Sequence, residues 1–356
     1  MAITRTRRLQ SFVAACPDPQ SLPEFLECLY AGSLIRMRHP DIQSRLLVAE
    51  ANIELARSAG VFLDVEVLGR DLSASIQHLN PDVVYIPSPD LRTRLKLFFV
   101  GSLRITGASR LGRYFRFLGV RNKHDLEKLK RHGLDLLPET VGLSLQAPQL
   151  GARHAALPGE LVYLSLFDEH NVSGSWPVGH AARLSRLIAQ QNLRLVVPLP
   201  QSAFQRKIPG VPSETREYAG AVQYLKKHGE QIHFFTPASV QEKASWMRRA
   251  ALVVAPAGPD AVLAGLLRQP VITLHDMQSH RHQGRAEHSL GPVSAVVADA
   301  GVLPFFTRLA DSLDRHLMPQ VEECVENCPA CTHLSCVDTI SPERVFEGIK
   351  RILLPY

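Results

Sequence analysis

Short β-branched apolar runs alternate along this chain with stretches whose apolar residues recur every three or four positions. Ser44 to Val48 and Val83 to Ile86 read as strands in the first half. Leu161 to Leu166, Arg194 to Leu199, Ile232 to Phe235, Leu252 to Ala255 and Val271 to Leu274 read as strands in the second. Between them, Leu22 to Met37, Ala51 to Ala59, Ala181 to Gln191, Ser213 to Lys227, Val240 to Arg249 and Asp260 to Leu267 carry the helical period. Strands that alternate with helices predict βαβ units, with parallel sheets covered on both faces.

The pattern weakens between Pro138 and Pro158, where prolines and glycines gather as they would in an interdomain linker. This predicts an α/β chain of two domains, 1–150 and 151–340, closed by a C-terminal helix over 341–356. Near the end, Leu303, Phe306, Leu309, Leu313 and Leu317 form a helical stripe. Ser341 followed by Pro342 makes a helix N-cap and first turn, and Val345, Ile349, Ile352 and Leu353 are the face that helix should bury.

Composition agrees. At about 150 residues per domain, 356 residues suit two domains. With 45% apolar and 21% charged residues, a large core forms and general disorder is excluded. No window approaches the roughly 18–20 uninterrupted apolar residues of a membrane span. Arg5 to Arg8, then Leu9 to Ala15, imitates a signal peptide, but Gln10 and Ser11 break the apolar stretch and Cys16-Pro17-Asp18 is a poor cleavage context. The expectation is a cytoplasmic protein. Six cysteines in a chain of this length are not a disulfide framework.

Several segments together resemble a known family. Ser173-Gly174-Ser175-Trp176-Pro177, followed by Ala181-Ala182-Arg183-Leu184, is similar to the Lys-x-Trp-Pro motif and helix of glycosyltransferase family 9, the lipopolysaccharide heptosyltransferases. Residues Ala250 to Pro259 resemble that family's strand and Asp-Ser/Thr-Gly-Pro turn, and Arg268-Gln269-Pro270-Val271-Ile272-Thr273-Leu274 resembles the strand that follows. The tail from Cys336 to Val345 is similar to the family's Cys-Met-x-x-Ile-x-Pro-Glu-x-Val. In the first half, His39-Pro40-Asp41 and Asn80-Pro81-Asp82-Val83 fit more loosely. The resemblance implies a GT-B fold, with two Rossmann-like domains whose parallel sheets face a central cleft. It further implies a cytoplasmic inverting transferase, metal-independent in catalysis, moving heptose from ADP-heptose to a lipopolysaccharide core or another glycan.

Such a transfer needs a base for the acceptor hydroxyl and positive or dipolar groups for the departing diphosphate. The family's base is an Asp opening the first helix. Counting back from His39-Pro40 puts Glu24 at its place, where it would act as the base or simply serve as a first-turn acid. For the donor, the resemblance points to Ser173, Ser175, Gly258, Pro259, Asp260 and His275, with Arg206 and Lys207 as cations in a nearby loop. The helix after Gly258-Pro259 could cradle phosphate at its N-terminus, with Asp260 opposing the anion. Three family residues are replaced: its Lys by Gly174, its Asp by Pro256 and its His by Ala261. Two handles on the donor diphosphate are thus absent together. This keeps open a second reading, a catalytically degenerate paralogue serving as a binding or assembly subunit, and a third, an autotransporter-modifying heptosyltransferase.

Two clusters add candidate chemistry. His275, His280 and His282, with Arg281 and Arg285, follow a strand end, where doubly wound folds place ligand loops. They read as a donor-contact loop, a metal site or plain surface. Cys324, Cys328, Cys331 and Cys336 fall within thirteen residues. Four thiolates suit a structural Zn or Fe, and reduced thiols in packing or disulfides are the alternatives. No step of glycosyl transfer calls for them, so they read as a clip on the last helix.

The net charge of +6 conceals an uneven distribution. From Leu91 to Arg131, twelve Lys and Arg face two acids, which is +10 in 41 residues and leaves the remainder at −4. Arg92, Arg94, Lys96, Arg110, Arg113 and Arg116 stand among Leu95, Phe98, Phe99, Tyr114, Phe115 and Phe117. A basic, aromatic surface suits an anionic glycolipid acceptor or peripheral contact with the inner membrane. A solvated helix face is the bland alternative. The same composition could bind nucleic acid, but no nucleic-acid motif accompanies it, so no such partner is expected.

Overall fold

A computed structural model describes residues 10–69, 71–87, 103–106, 143–147, 160–166, 176–200, 214–256, 258–274, 316–317 and 340–353. The chain divides into two compact units. The first holds the described residues through Ala147 together with Ser239–Gln241, and the second holds the rest.

In the first unit, β1 (Ser11–Cys16), β2 (Gln43–Val48), β3 (Asp64–Val67), β4 (Val83–Ile86) and β5 (Leu103–Thr106) form a parallel sheet in the order β3-β2-β1-β4-β5. The helices α1 (Leu22–Arg38), α2 (Ile53–Ser58) and α3 (Leu72–Leu79) connect its strands. Phe12 through Cys16 are all buried, as a central strand covered on both faces requires. The sequence reading missed this strand. Ser11 is its first residue, and the Asp82 carboxylate accepts hydrogen bonds from the Gln10 and Ser11 amides at 2.8 and 3.0 Å, pinning β1 beside β4. The Asn80-Pro81-Asp82 segment therefore has a structural task. Asn80 closes α3 in the left-handed region at φ 40°, with its amide bonded to Ile76 O, and Asp82 registers the strands. On the opposite side, α1 approaches so closely that a Cβ on Gly32 would stand 2.4 Å from the Phe62 ring.

In the second unit, β6 (Glu160–Leu164), β7 (Leu193–Pro198), β8 (Ile232–Phe235), β9 (Leu252–Pro256), β10 (Val271–Leu274) and β11 (His316–Leu317) pair in parallel in the order β11-β10-β9-β6-β7-β8. The helices are α4 (Val178–Ala189), α5 (Glu214–His228), α6 (Val240–Arg249), α7 (Pro259–Leu266) and α8 (Pro342–Leu353). Alternation along the strands sorts the sheet faces. Val162, Leu164, Leu195, Val197, Val254 and Ile272 join one core with residues of α4, α5 and α8. Tyr163 and Ser165 lie on the other face.

Four expectations need correction or refinement. Leu317 stands in β11 rather than in a helix, paired with Leu274, because a strand there completes the sheet edge; the rest of the proposed stripe lies outside the described residues. The predicted helix from Ala51 begins as a 3-10 turn, Glu50–Asn52, before α2. Leu143 and Leu145, within the expected linker, are buried. The last helix starts at Pro342 and is preceded by Ser341, whose hydroxyl accepts from the Arg344 amide at 3.3 Å. It buries Val345 and Ile349 fully, with Ile352 and Leu353 packed at the margin of the same core.

Candidate functional site

In each unit the first strand is flanked by the second strand on one side and the fourth on the other. Helices therefore leave its C-terminal end in opposite directions. Open α/β sheets bind ligands at such switch points, where the connecting loops part. In the first unit the switch lies at the ends of β1 and β4, and in the second at the ends of β6 and β9.

At the first switch point, β1 ends in Cys16 and the chain turns through Asp18 into α1. Pro23 and Glu24 occupy the first turn of α1, where a carboxylate is favoured by the helix dipole. Glu24 is half-buried. Below it, Glu27 is almost wholly buried and accepts a 2.9 Å hydrogen bond from the Tyr85 hydroxyl of β4. Cys16 and Cys28 are buried free thiols. Burial pushes the Cys16 thiol up, with Glu24 and Asp18 adding to the effect. Burial also raises Cys28, reinforced by Cys16, Glu27 and Glu24. The Tyr85 hydroxyl is raised by burial, then by Glu27 and Cys28. These groups stay protonated at neutral pH. Of the two carboxylates on α1, Glu24 is the more accessible.

At the second switch point, Ser165 follows β6 and Gly258-Pro259-Asp260 follows β9. Gly258 precedes α7, and Pro259 takes a first-turn position that needs no amide donor. Asp260 sits in that turn and is held twice. The Ser165 hydroxyl donates to Oδ2 at 2.5 Å, and Lys243 Nζ of α6 approaches Oδ1 at 3.0 Å. The ion pair is mostly buried, with 18% and 13% side-chain exposure for Lys243 and Asp260. Beside it, the buried Tyr163 hydroxyl has no hydrogen-bond partner among the described residues. Burial pushes that phenol up, and the Asp260 charge adds to the shift. The sequence reading put Asp260 in the donor site, opposing the anion. The structure gives it two partners, neither of which was anticipated. Ser165, a hydroxyl at a strand end, carried a positional signal; Lys243 looks like any solvated lysine on an amphipathic helix.

Trp176, from the Trp-Pro segment, is 1% exposed. Its indole N–H donates to Ile340 O at 2.9 Å, and its ring meets His180 edge-on with centroids 5.5 Å apart. It ties the start of α4 to the entry of α8.

Of the expected site residues, Glu24, Gly258, Pro259 and Asp260 are placed in this way. Ser173, Ser175, Arg206, Lys207 and His275 lie outside the described residues. So do Arg92, Arg94, Lys96, Arg110, Arg113 and Arg116 of the basic segment, and Cys324, Cys328, Cys331 and Cys336. Among the described residues no three His, Cys, Asp or Glu form a group able to hold a metal ion, and no helix is long and apolar enough to cross a membrane.

No protein-family model matches the chain. No curated protein matches it by sequence either. Solved structures do. The Escherichia coli ADP-heptose lps heptosyltransferase II aligns over 97% of this chain and 99% of its own, with a TM-score of 0.57 at 14% identity. The glycosyl transferase family 9 structure from Veillonella parvula DSM 2008 aligns over 98% of both chains, with a TM-score of 0.52 at 12% identity. With its two parallel, doubly wound units, the chain has the α/β fold of GT-B glycosyltransferases.

Proposed function

We propose that this protein is a glycosyltransferase of the family 9 type. It takes a sugar, with heptose from ADP-heptose as the first candidate, and transfers it to a lipopolysaccharide core or another glycan. The observation that carries this reading is the chain-long likeness to a heptosyltransferase structure, combined with Glu24 in the first helical turn at a switch point. The order of family-like motifs in the sequence supports it independently.

In this reading Glu24 removes the proton from the acceptor hydroxyl. The acceptor oxygen attacks the anomeric carbon, the bond from that carbon to the diphosphate breaks, and the electron pair leaves with the nucleoside diphosphate. Configuration inverts. General-base assistance of this kind contributes about 10²–10⁴-fold. Glu24→Gln should therefore lower turnover by about that factor while leaving donor affinity nearly intact. Unchanged turnover would remove Glu24 from the mechanism.

The second unit is assigned the donor and the first unit the acceptor. The basic segment from Leu91 to Arg131 suits an anionic glycolipid, and with it a protein at the cytoplasmic face of the inner membrane. Cys324, Cys328, Cys331 and Cys336 are assigned a structural metal, Zn or Fe, outside the chemistry.

One observation favours the noncatalytic alternative. Gly174 and Pro256 replace charged family residues, and the turn after β9 presents a carboxylate already held by Lys243 and Ser165. A binding subunit would take up ADP-heptose without transferring it, and mass-spectrometric search for a glycosylated acceptor separates the two.

A further inference from the structure

The groups around Asp260 have the composition of a phosphate site. A lysine ammonium and a serine hydroxyl converge on one point in the first turn of α7, and each is a donor suited to an anion. The anion they hold is the protein's own. Lys243 Nζ stands 3.0 Å from one Asp260 oxygen and the Ser165 hydroxyl 2.5 Å from the other. α7 spans eight residues, and Asp260 lies in its first turn, so the carboxylate adds its charge where the helix already favours a negative group.

A second observation marks this as a ligand position rather than an ordinary capped helix. The Tyr163 hydroxyl shares the sheet face of Ser165, is buried, and finds no hydrogen-bond partner among the described residues. Such groups are rarely left unpaired in a protein interior. Here the orphan lies within electrostatic reach of Asp260.

We propose that the Asp260 carboxylate is a built-in occupant of the anion position at the α7 N-terminus, and that it determines specificity by keeping a ligand phosphate out of that position. The lysine and the aspartate cancel, so the cluster offers no net charge to a diphosphate. An anion enters only where the carboxylate is absent. The donor's phosphates must then be met by other groups of the second unit. This deepens the donor-site assignment and rests on it for the identity of the excluded ligand, whereas the anion position itself stands on Lys243, Ser165, Tyr163 and α7.

The test is calorimetric titration of the full-length chain with inorganic pyrophosphate. Asp260→Ala should bind it at least tenfold more tightly than the unaltered protein, and Asp260→Ala combined with Lys243→Met should lose that gain. Asp260→Asn, which keeps the shape but removes the charge, should shift in the same direction and decides the matter if the alanine variant does not fold. Equal affinity in the unaltered protein and the folded Asp260 variant, or a gain that survives Lys243→Met, overturns the proposal. Titration of the unaltered chain with ADP-heptose separates this inference from the broader reading. Pyrophosphate gain without ADP-heptose binding leaves the anion position standing and removes the donor. ADP-heptose binding without pyrophosphate gain does the reverse.

Discussion

Replacing Trp176 by Phe separates the structural from the donor-binding role of the Trp-Pro segment. The indole is 1% exposed, and its N–H is bonded to Ile340 O at 2.9 Å, just before α8 begins. Phenylalanine retains one ring but removes the donor. A buried carbonyl left without its partner costs about 1–3 kcal/mol. The volume vacated by the second ring adds about 1 kcal/mol, since surrounding side chains close such a gap only in part. The expected total is about 2–4 kcal/mol. In a unit of this size each kcal/mol moves the melting temperature by about 2–4 °C, so the drop should be about 4–16 °C. Both tryptophans of the chain, Trp176 and Trp246, lie in the second unit. Fluorescence from the remaining Trp246 therefore follows that unit's unfolding without interference from the first. Affinity for ADP, measured well below the transition, should not change. An unaltered melting temperature refutes the structural assignment, and a loss of ADP affinity in the folded variant returns Trp176 to the donor site.

Four further outcomes are expected. Lys243→Met strands the Asp260 carboxylate in a mostly buried position and should destabilise the second unit by about 2 kcal/mol, less than the 3–5 kcal/mol of a fully buried pair; urea midpoints within error of the unaltered protein would contradict this. Cys16 and Cys28 are buried with raised pKa, so in the native protein at pH 7.5 peptide mapping should find both unalkylated by iodoacetamide, and rapid modification would show the pocket to be open. The same shift stabilises the fold fully below the unfolded thiol value of about 8.5, and the contribution is lost as pH rises from there toward the folded values, so urea midpoints should fall between pH 8 and pH 10. Elemental analysis should find about one Zn or Fe per chain at the four-cysteine cluster, and a metal-free, fully active preparation removes the metal clip.

The strands most legible in the sequence were those with unbroken apolar runs. Val83 to Ile86 and Leu252 to Ala255 need no tertiary information, because sheets covered on both faces demand such residues throughout. β1 was hidden by the polar residues at its start, whose partner, Asp82, is 71 residues away from Ser11. β3 was hidden by its charge. Asp64 and Glu66 leave it without an apolar run, and they lie along an edge strand where Arg45 Nε sits 3.3 Å from each. The site divides in the same way. Glu24, Gly258, Pro259 and Asp260, taken from the family resemblance, stand at helix entries. Ser165, Lys243 and Tyr163 acquire meaning only when β6, α6 and α7 converge. That convergence joins positions 95 and 17 residues apart, which no local pattern encodes.

The central claim is that the chain binds a nucleotide sugar. Calorimetry of the folded, metal-replete protein with ADP and then ADP-heptose tests it most directly. The account expects saturable, one-to-one binding of both, with the sugar nucleotide the tighter ligand. Absence of heat with either ligand, from protein that melts cooperatively, would contradict it.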